Sequence, residues 1–156
     1  MKIFISLIGF LLIITGCSER ISTSSLTPVK SNNPIVIEAQ KHIGKPYKYG
    51  QIGPDGFDCS GFVYGVHKKL GITIPRTSID QSNIAGKKLL PQELKEGDMV
   101  FFDTSQKGHV NHSGIYLGES NFIHASSGNA KSVTISSMNK WYKDKFKWGK
   151  HINENK

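Results

Sequence analysis

Of the two cysteines in the sequence, Cys59 stands where a helix is predicted to begin. Asp58 is a residue type that caps helices, and the apolar residues that follow recur at steps of three and four as far as Leu70. Gly71 predicts the helix end. The first amide N–H groups of a helix favour an anion and can bring a thiol pKa from about 8.5 into the range of roughly 3.5 to 7.5. Cys59 is therefore a candidate nucleophile, although an inert buried cysteine fits the same pattern.

Two histidines on a predicted β-hairpin could supply a base for this thiol. Segments 112–117 and 121–125 read as strands joined by a short turn. A three-residue turn at 117–119 would place His112 directly opposite His124 on one face of the sheet. We therefore predict a chain in which His124 orients His112 and His112 takes the proton of the cysteine.

A metal site is the alternative reading of the same side chains. Cys59, His109, His112 and His124 are four candidate ligands for tetrahedral zinc. The spacing disfavours zinc, because no second cysteine lies near the first and because His109 lies in a glycine-containing loop. We expect neither a metal nor another cofactor.

The start of the chain predicts export. A short positive start precedes an apolar run, 3–14, that is too short to span a bilayer and ends in Thr-Gly-Cys at Cys17. Residues 1–16 therefore resemble a bacterial lipoprotein signal, after whose removal Cys17 carries lipid; an uncleaved anchor is the alternative. Cys59 would then lack a partner for an intramolecular disulfide, which favours a functional thiol. Residues 18–33, rich in Ser, Thr and Asn, predict a flexible tether.

The charge of the chain suggests anionic partners. Lys and Arg number 20 against 12 Asp and Glu, a net charge of +8. An exported protein with this charge meets acidic wall polymers and phospholipid head groups, although a solvated lysine-rich surface explains the charge equally well. No motif that reads or stacks bases is evident, so we expect no nucleic-acid partner. The length fits one domain, which we expect to be monomeric.

Helices in the first half and strands in the second predict an α+β domain over residues 34–152. We predict that His42 and His67 are solvated on helix surfaces. The predicted elements are a helix over 34–43 capped by Asn33, the helix after Asp58, a short amphipathic stretch over 78–85 capped by Thr77 or Ser78, strands near 99–102, 112–117, 121–125, 132–135 and 147–152, and a short helix near 137–143.

Five motifs, in this order and spacing, resemble the NlpC family of bacterial cell-wall cysteine peptidases. The resemblance covers nearly all of residues 35 to 152 and is strongest to the short outer-membrane lipoproteins typified by murein DD-endopeptidase. The motifs are PYKYG at 46–50, FDCSGFV at 57–63, GDMVFF at 97–102, HSGIYLG at 112–118 and FIHAS at 122–126.

The resemblance implies a reduced papain-like fold, in which the helix that bears the nucleophile packs on an antiparallel sheet that bears the histidines. It implies roles for four residues: Cys59 as nucleophile, His112 as general base, His124 as the polar residue that orients this base, and Tyr47 as a hydroxyl that helps to bind the oxyanion. It also implies hydrolysis of amide bonds in peptidoglycan peptide stems or cross-links. The expected location is the cell envelope, facing the periplasm from the outer membrane in a Gram-negative cell.

Two departures from the family pattern flank the predicted site. Gln51 stands where the family often has a second glycine, and Ser113 stands where it often has valine. Arg76 and Gln81 match polar positions of the family pocket, but we do not place them in the site. Acyl transfer and non-catalytic wall binding remain alternatives to hydrolysis, and the sequence does not identify the bond that is cut.

Overall fold

The computed structural model describes residues 27–152 and confirms the α+β prediction. No helix in this range is both long and apolar enough to cross a membrane. Short 3₁₀ turns lie at Pro91–Glu93 and Lys143–Lys145. The helices are α1 (Pro34–Gln40), α2 (Cys59–Lys69) and α3 (Ser78–Ser82), and the strands are β1 (Met99–Phe102), β2 (His112–Gly118), β3 (Asn121–Ala125), β4 (Val133–Ser137) and β5 (Phe146–Lys150).

Each helix begins at a side-chain cap. The Asn33 carboxamide oxygen accepts from the amides of Ile35 and Val36, and Asp58 accepts from the third amide of α2 at 2.6 Å. The Thr77 hydroxyl caps α3. These contacts confirm the predicted helix starts, since each satisfies amides that have no partner within the helix.

The five strands form one antiparallel sheet in the order β4-β3-β2-β1-β5. Helices α1 and α2 cover one face of this sheet, where the buried side chains are mostly aliphatic. The other face carries a smaller, aromatic cluster. Because neighbouring residues of a strand point to opposite faces, every position on β2 belongs to one of two different environments.

The hairpin between β2 and β3 differs from its predicted register. Its turn has two residues, Glu119 and Ser120, both with positive φ (49° and 59°), and a bulge precedes it at Leu117. The observed pairs, such as Ile115 with Ile123, place His124 across from position 114 rather than 112. The prediction of a three-residue turn is wrong because a type I′ turn is usually signalled by Asn-Gly, not by Glu-Ser.

The segment after β4 corrects a second prediction. We predicted a short helix near 137–143, but Ser137 is still in β4 and pairs with Asn121. A 3₁₀ turn at Lys143–Lys145 then leads into β5. This strand starts one residue earlier than the predicted strand over 147–152, and its last residue is two positions earlier than the predicted end. Strand pairing with β3 therefore extends β4 beyond the range that its local sequence suggested.

The last residues of the predicted tether contact the domain. The backbone of Val29 exchanges hydrogen bonds with the Gln40 side chain, and the Ser31 hydroxyl donates to Glu96 at 2.5 Å. The folded unit thus includes residues 29–33 as well as the predicted 34–152. Residues 1–26, with the predicted signal and Cys17, lie outside the described residues.

Both helix-surface histidines were wrongly predicted as solvated. His67 is fully buried and its Nδ1 atom lies 2.8 Å from the Val63 carbonyl oxygen. Partly buried His42 packs its ring edge on Phe57 and lies 3.6 Å from Glu38. Their burial depends on what packs against each ring, which a helical pattern read in isolation does not reveal.

Candidate active site

Cys59 is the first residue of α2, as predicted, and Asp58 fixes the start of this helix. The Asp58 carboxylate accepts hydrogen bonds from two Arg76 guanidinium nitrogens, at 3.0 and 2.5 Å, and from the Gly50 amide at 2.8 Å. Arg76 also donates to the Ser60 hydroxyl at 2.9 Å. Arg76, which the sequence did not place in the site, therefore supports the turn that presents the cysteine.

The glycine two residues after the cysteine is required by close packing. A Cβ atom at Gly61 would collide with the Gln51 carbonyl oxygen and would lie 2.8 Å from an Asp58 carboxylate oxygen. The amide of Asp58 donates to the same Gln51 carbonyl at 3.0 Å. Gln51 thus contributes its backbone to the site, and only a residue without a side chain fits at position 61.

The Cys59 thiol is partly buried against the beginning of β2. Its sulfur lies 3.9 Å from the Asn111 carbonyl oxygen and 3.8 Å from the Ser78 hydroxyl oxygen. Within residues 27–152 it has no disulfide partner. Burial raises the pKa of the thiol, and this effect exceeds the opposing effects of the Ser78 hydroxyl and of the amides of Ser60 and Ser113, so the resting group is protonated at neutral pH.

The two predicted histidines meet, although diagonally rather than face to face. His112 Nε2 lies 2.8 Å from His124 Nδ1, and His124 Nε2 lies 2.9 Å from the Ser136 hydroxyl. A diagonal contact needs an empty position between the rings, which Gly114 supplies: a Cβ there would lie 3.2 Å from that of His124. The predicted His–His contact is confirmed, and Ser136 extends the chain.

These contacts define the proton positions that would make His112 a base. If His112 Nε2 donates to His124 Nδ1, then His112 Nδ1 is the free acceptor, and His124 Nε2 donates to Ser136. Burial lowers the pKa of His112 to about 4 and, with the neighbouring ring, lowers the pKa of His124 well below its usual value. Both rings are therefore neutral near pH 7, which is the state that a base requires.

Among the described residues, no hydrogen bond joins the Cys59 sulfur to a His112 ring nitrogen. The sulfur instead contacts the carbonyl of Asn111, directly before that histidine. Catalytic hydrogen bonds are often long in the absence of substrate and shorten when the complex forms. The structure therefore places the thiol against the residue before His112, without a hydrogen bond to the histidine ring.

The backbone of Tyr47 is fixed next to the segment that leads to Cys59. Its amide donates to the Lys131 carbonyl at 2.8 Å, and a bridge to Phe57 ties its backbone to the residues just before Cys59. Burial raises the pKa of the Tyr47 hydroxyl, and the charge of a Cys59 thiolate would raise it further. The Tyr47 hydroxyl is therefore neutral near pH 7 and able to donate a hydrogen bond.

Tyr142 covers the histidine pair, a contact that the sequence analysis missed. Its ring centroid lies 6.0 Å from that of His112 and 5.4 Å from that of His124. Burial and then the proximity of Cys59 raise the Tyr142 pKa to about 12. Tyr142 also lines a groove of about 900 Å³. The other lining residues include His112, Trp141, Lys140 and the 126–130 loop.

Three further polar residues lie beneath the thiol. Ser78 and Ser113 are 3.1 Å apart through their hydroxyl oxygens, and Ser113 donates to the Gln81 side chain at 3.0 Å. All three are buried. Gln81, which the sequence did not place in the site, thus belongs to it. The available signal was the polar residue Ser113 on the same face of β2 as the apolar residues Ile115 and Leu117.

The zinc alternative is not supported by the geometry. Across the described range, no three His, Cys, Asp or Glu side chains come together as a metal site would require. His109 is exposed on its loop, while His112 and His124 bind each other. Two of the four proposed ligands therefore already have different partners.

Comparisons with known proteins agree with this arrangement. The chain is 44% identical over 117 residues to a gamma-DL-glutamyl hydrolase of Bacillus subtilis, covering 74% of this chain and 28% of that protein. It is 36% identical over 125 residues to the murein DD-endopeptidase MepH of Escherichia coli, covering 78% and 44% respectively. The chain thus spans less than half the length of either relative.

A solved structure and a family description agree on the fold. The crystal structure of an NlpC/P60 family protein from Bacillus cereus superposes with a TM-score of 0.71 at 33% identity, covering 80% of this chain and 41% of that one. The fold is thereby confirmed as the reduced papain-like type. The NlpC/P60 family description matches residues 44–151, the range that holds every side chain of the site. On this evidence the chain belongs to the NlpC/P60 family.

Proposed function

We propose that the protein is a cysteine peptidase that hydrolyses amide bonds in peptidoglycan peptides. The observation that carries this proposal is the contact of the Cys59 thiol with the start of β2, where the chain from His112 through His124 to Ser136 begins. A thiol beside a neutral, oriented imidazole is the arrangement that nucleophilic acyl chemistry uses.

In the first half of the reaction the thiol proton passes to His112 Nδ1 while the Cys59 sulfur attacks the amide carbonyl carbon. The carbonyl oxygen becomes an oxyanion, for which the Tyr47 hydroxyl and the backbone N–H of Cys59 are the candidate donors. One such donor typically contributes about 2.7 to 4 kcal/mol to transition-state stability. Collapse of the intermediate breaks the C–N bond, and His112 returns the proton to the leaving amine.

In the second half, water replaces the amine. His112, neutral again, takes a proton from water, whose oxygen attacks the thioester carbonyl and releases the acid and the Cys59 thiol. In this mechanism His112 Nε2 donates its hydrogen to His124 Nδ1, 2.8 Å away, and this bond holds the His112 ring in the one tautomer that both halves require. Since that contact is buried, solvent does not compete for it.

The groove beside His112 is suited to the leaving peptide, whose amine must lie against the same ring. Its lining residues in the described part of the chain include no carboxylate and one charged side chain, Lys140. Peptidoglycan stems carry free carboxylates, so a groove without acidic residues on a chain of charge +8 matches their charge. Exposed Trp141 adds an apolar surface beside the lysine.

The bond to be cut has two candidates, and the relatives' names suggest both. One relative is named a gamma-DL-glutamyl hydrolase and the other a murein DD-endopeptidase. We propose peptidoglycan as the substrate and test both bonds, since γ-glutamyl linkages also occur within peptide stems.

We further propose that lipid on Cys17 tethers the protein to the cell envelope as a monomer. The support is the apolar run over 3–14 followed by Thr-Gly-Cys. In a cell with an outer membrane, Ser18 after the lipidated cysteine fits retention there. Labelling with radioactive palmitate that is lost in a Cys17→Ser variant would support this proposal, and unchanged labelling would contradict it.

The peptidase proposal is tested with defined muropeptides, both monomers and cross-linked dimers, and with a γ-glutamyl peptide. The full chain purified in detergent is compared with Cys59→Ala and with His109→Ala, which changes an exposed histidine outside the site. We expect mass spectrometry to show cleavage by the wild type and His109→Ala, and none by Cys59→Ala.

The products identify the bond and separate the alternatives. Transfer of the acyl group to an added amine without hydrolysis would indicate an acyltransferase. Binding of peptidoglycan by folded protein that cleaves none of the peptides would indicate a wall-binding role and would contradict the peptidase proposal.

A further inference from the structure

The Cys59 sulfur is bordered by a second polar chain on the side of the sheet that faces the helices. This chain runs from the Ser78 hydroxyl, 3.8 Å from the sulfur, to the Ser113 hydroxyl at 3.1 Å and on to Gln81 Oε1 at 3.0 Å. Gln81 Nε2 donates to the carbonyl oxygens of Ser60 and Pro75, each at 3.0 Å. Every member except the thiol is buried or is backbone.

The donor and acceptor roles along this chain follow from the Gln81 amide. Its nitrogen faces two carbonyl oxygens, which accept only, so its Oε1 must face Ser113. That oxygen can only accept, so the single hydroxyl hydrogen of Ser113 points to Gln81. The Ser113 oxygen is then an acceptor for Ser78, and the single hydroxyl hydrogen of Ser78 points away from the cysteine.

We propose that Ser113 is a positioning residue that holds the Ser78 hydroxyl hydrogen away from the Cys59 sulfur, so that the free protein keeps its nucleophile as a thiol. With this orientation the sulfur meets two acceptor oxygens, those of Ser78 and of the Asn111 carbonyl, besides the amides of Ser60 and Ser113. Both oxygens can accept a hydrogen bond from S–H, and in this orientation neither stabilises a thiolate. The hydrogen bond by which Ser78 would lower the thiol pKa forms only if its hydroxyl hydrogen turns to the sulfur. The inference rests on the proposed nucleophilic role of the cysteine.

The physical effect is a competition for one hydrogen. A thiolate would be stabilised if Ser78 turned its hydrogen to the sulfur, but that turn breaks its bond to Ser113. Without a hydroxyl at position 113, the Ser78 hydrogen has the sulfur as its remaining partner on this side. Because thiolates oxidise and alkylate far faster than thiols, the chain lowers unwanted reactivity until His112 takes the proton.

The test compares two substitutions of equal shape. Ser113→Val removes the hydroxyl, and Ser113→Thr keeps it on a side chain of the same size. Each is made in the full chain with Cys17→Ser, which leaves Cys59 as the only thiol because the sequence has two cysteines. The measurement is the rate of alkylation by iodoacetamide between pH 5 and pH 10, which needs no peptidase activity.

We expect Ser113→Val to shift the alkylation profile to lower pH and to raise the rate at pH 7 by about threefold to tenfold, the equivalent of one hydrogen bond. Ser113→Thr should retain the profile of the parent chain. Adding Ser78→Ala to either variant should make their profiles coincide, because no hydroxyl is left to turn.

Three results would overturn the inference. One is an unchanged profile in folded Ser113→Val; another is an equal shift in Val and Thr variants, which would reflect packing alone. The third is a shift that survives Ser78→Ala. If the valine variant does not fold, Ser113→Ala replaces it, with circular dichroism as the check. Alkylation is measured without a peptide substrate. A failure of the protein to cleave muropeptides would therefore contradict the proposed function without changing the outcome of this test.

Discussion

Two hydrogen-bonded chains lie on opposite faces of β2, and one of them contacts the Cys59 thiol. On the open face, His112 and His124 lead to Ser136. On the helix-covered face, Ser78 and Ser113 lead to Gln81 (the serine chain). His112 and Ser113, one in each chain, are adjacent residues, and their side chains lie on opposite faces because successive side chains of a strand point in opposite directions.

The chains differ in whether they can accept a proton. Neutral imidazole takes and returns a proton near neutral pH. Hydroxyl and amide groups do not titrate there, and a hydroxyl can only turn its hydrogen from one acceptor to another. The histidine chain lies next to the groove, and the serine chain ends at two backbone carbonyls inside the domain. We infer that one chain performs chemistry on the thiol and the other sets its resting state.

The largest expected effect comes from removing the proton acceptor. His112→Gln should lower kcat for muropeptide hydrolysis by about 10²- to 10⁴-fold, the usual contribution of a positioned base. Cys59 should still be alkylated, because the thiol and the serine chain remain. Steady-state kinetics and iodoacetamide labelling of the same preparation check both parts. Hydrolysis that persists at more than a tenth of the wild-type rate would contradict the assigned role.

A smaller effect is expected one step further along the histidine chain. His124→Met keeps much of the volume but leaves the His112 Nε2–H without its buried acceptor, which costs about 1 to 3 kcal/mol and hence roughly 5- to 150-fold in kcat. His124→Gln, which offers an amide oxygen at similar reach, should retain more activity. Kinetics of the two variants, with thermal melts as a control for folding, measure the difference. Equal losses in both would indicate a packing role.

The smallest effect concerns a histidine that neither chain uses. Fully buried His67 has one ring nitrogen without a partner among the described residues, and burial lowers its pKa. Below about pH 6.5 the unfolded chain binds protons at its histidines, while the folded chain resists protonation at this position, at His124 and, down to about pH 4, at His112. The free energy of unfolding should therefore fall as the pH falls from 7 to 5.

Replacing His67 should flatten that dependence. The slope per histidine is at most about 1.4 kcal/mol per pH unit, so His67→Leu should lose less stability than the wild type at pH 5. Urea unfolding at pH 7, 6 and 5 measures it. His109→Leu is the matched control, because the His109 ring is exposed in the folded chain. A parallel decline in wild type and His67→Leu would show that His67 does not contribute to acid sensitivity.

Much of the site could be predicted from local sequence. The cap at Asp58 and the apolar spacing after it predict the helix that presents Cys59, and both depend on residues close in the chain. The alternation of β2 and β3 likewise predicts that His112 and His124 share a face. The register could not be predicted, because a turn of Glu119 and Ser120 with positive φ is held by strand pairing rather than by its own residue types.

The sequence by itself determined the family, and it predicted Cys59 as the candidate nucleophile and the contact between His112 and His124, because each prediction follows from residue types at short or fixed spacing. Only the tertiary structure decided that Ser113, Ser78 and Gln81 form one directed chain, that Tyr142 covers the histidines and that His67 is buried. Those contacts join residues from separate elements. Their geometry depends on how helices pack on the sheet, which no local pattern specifies.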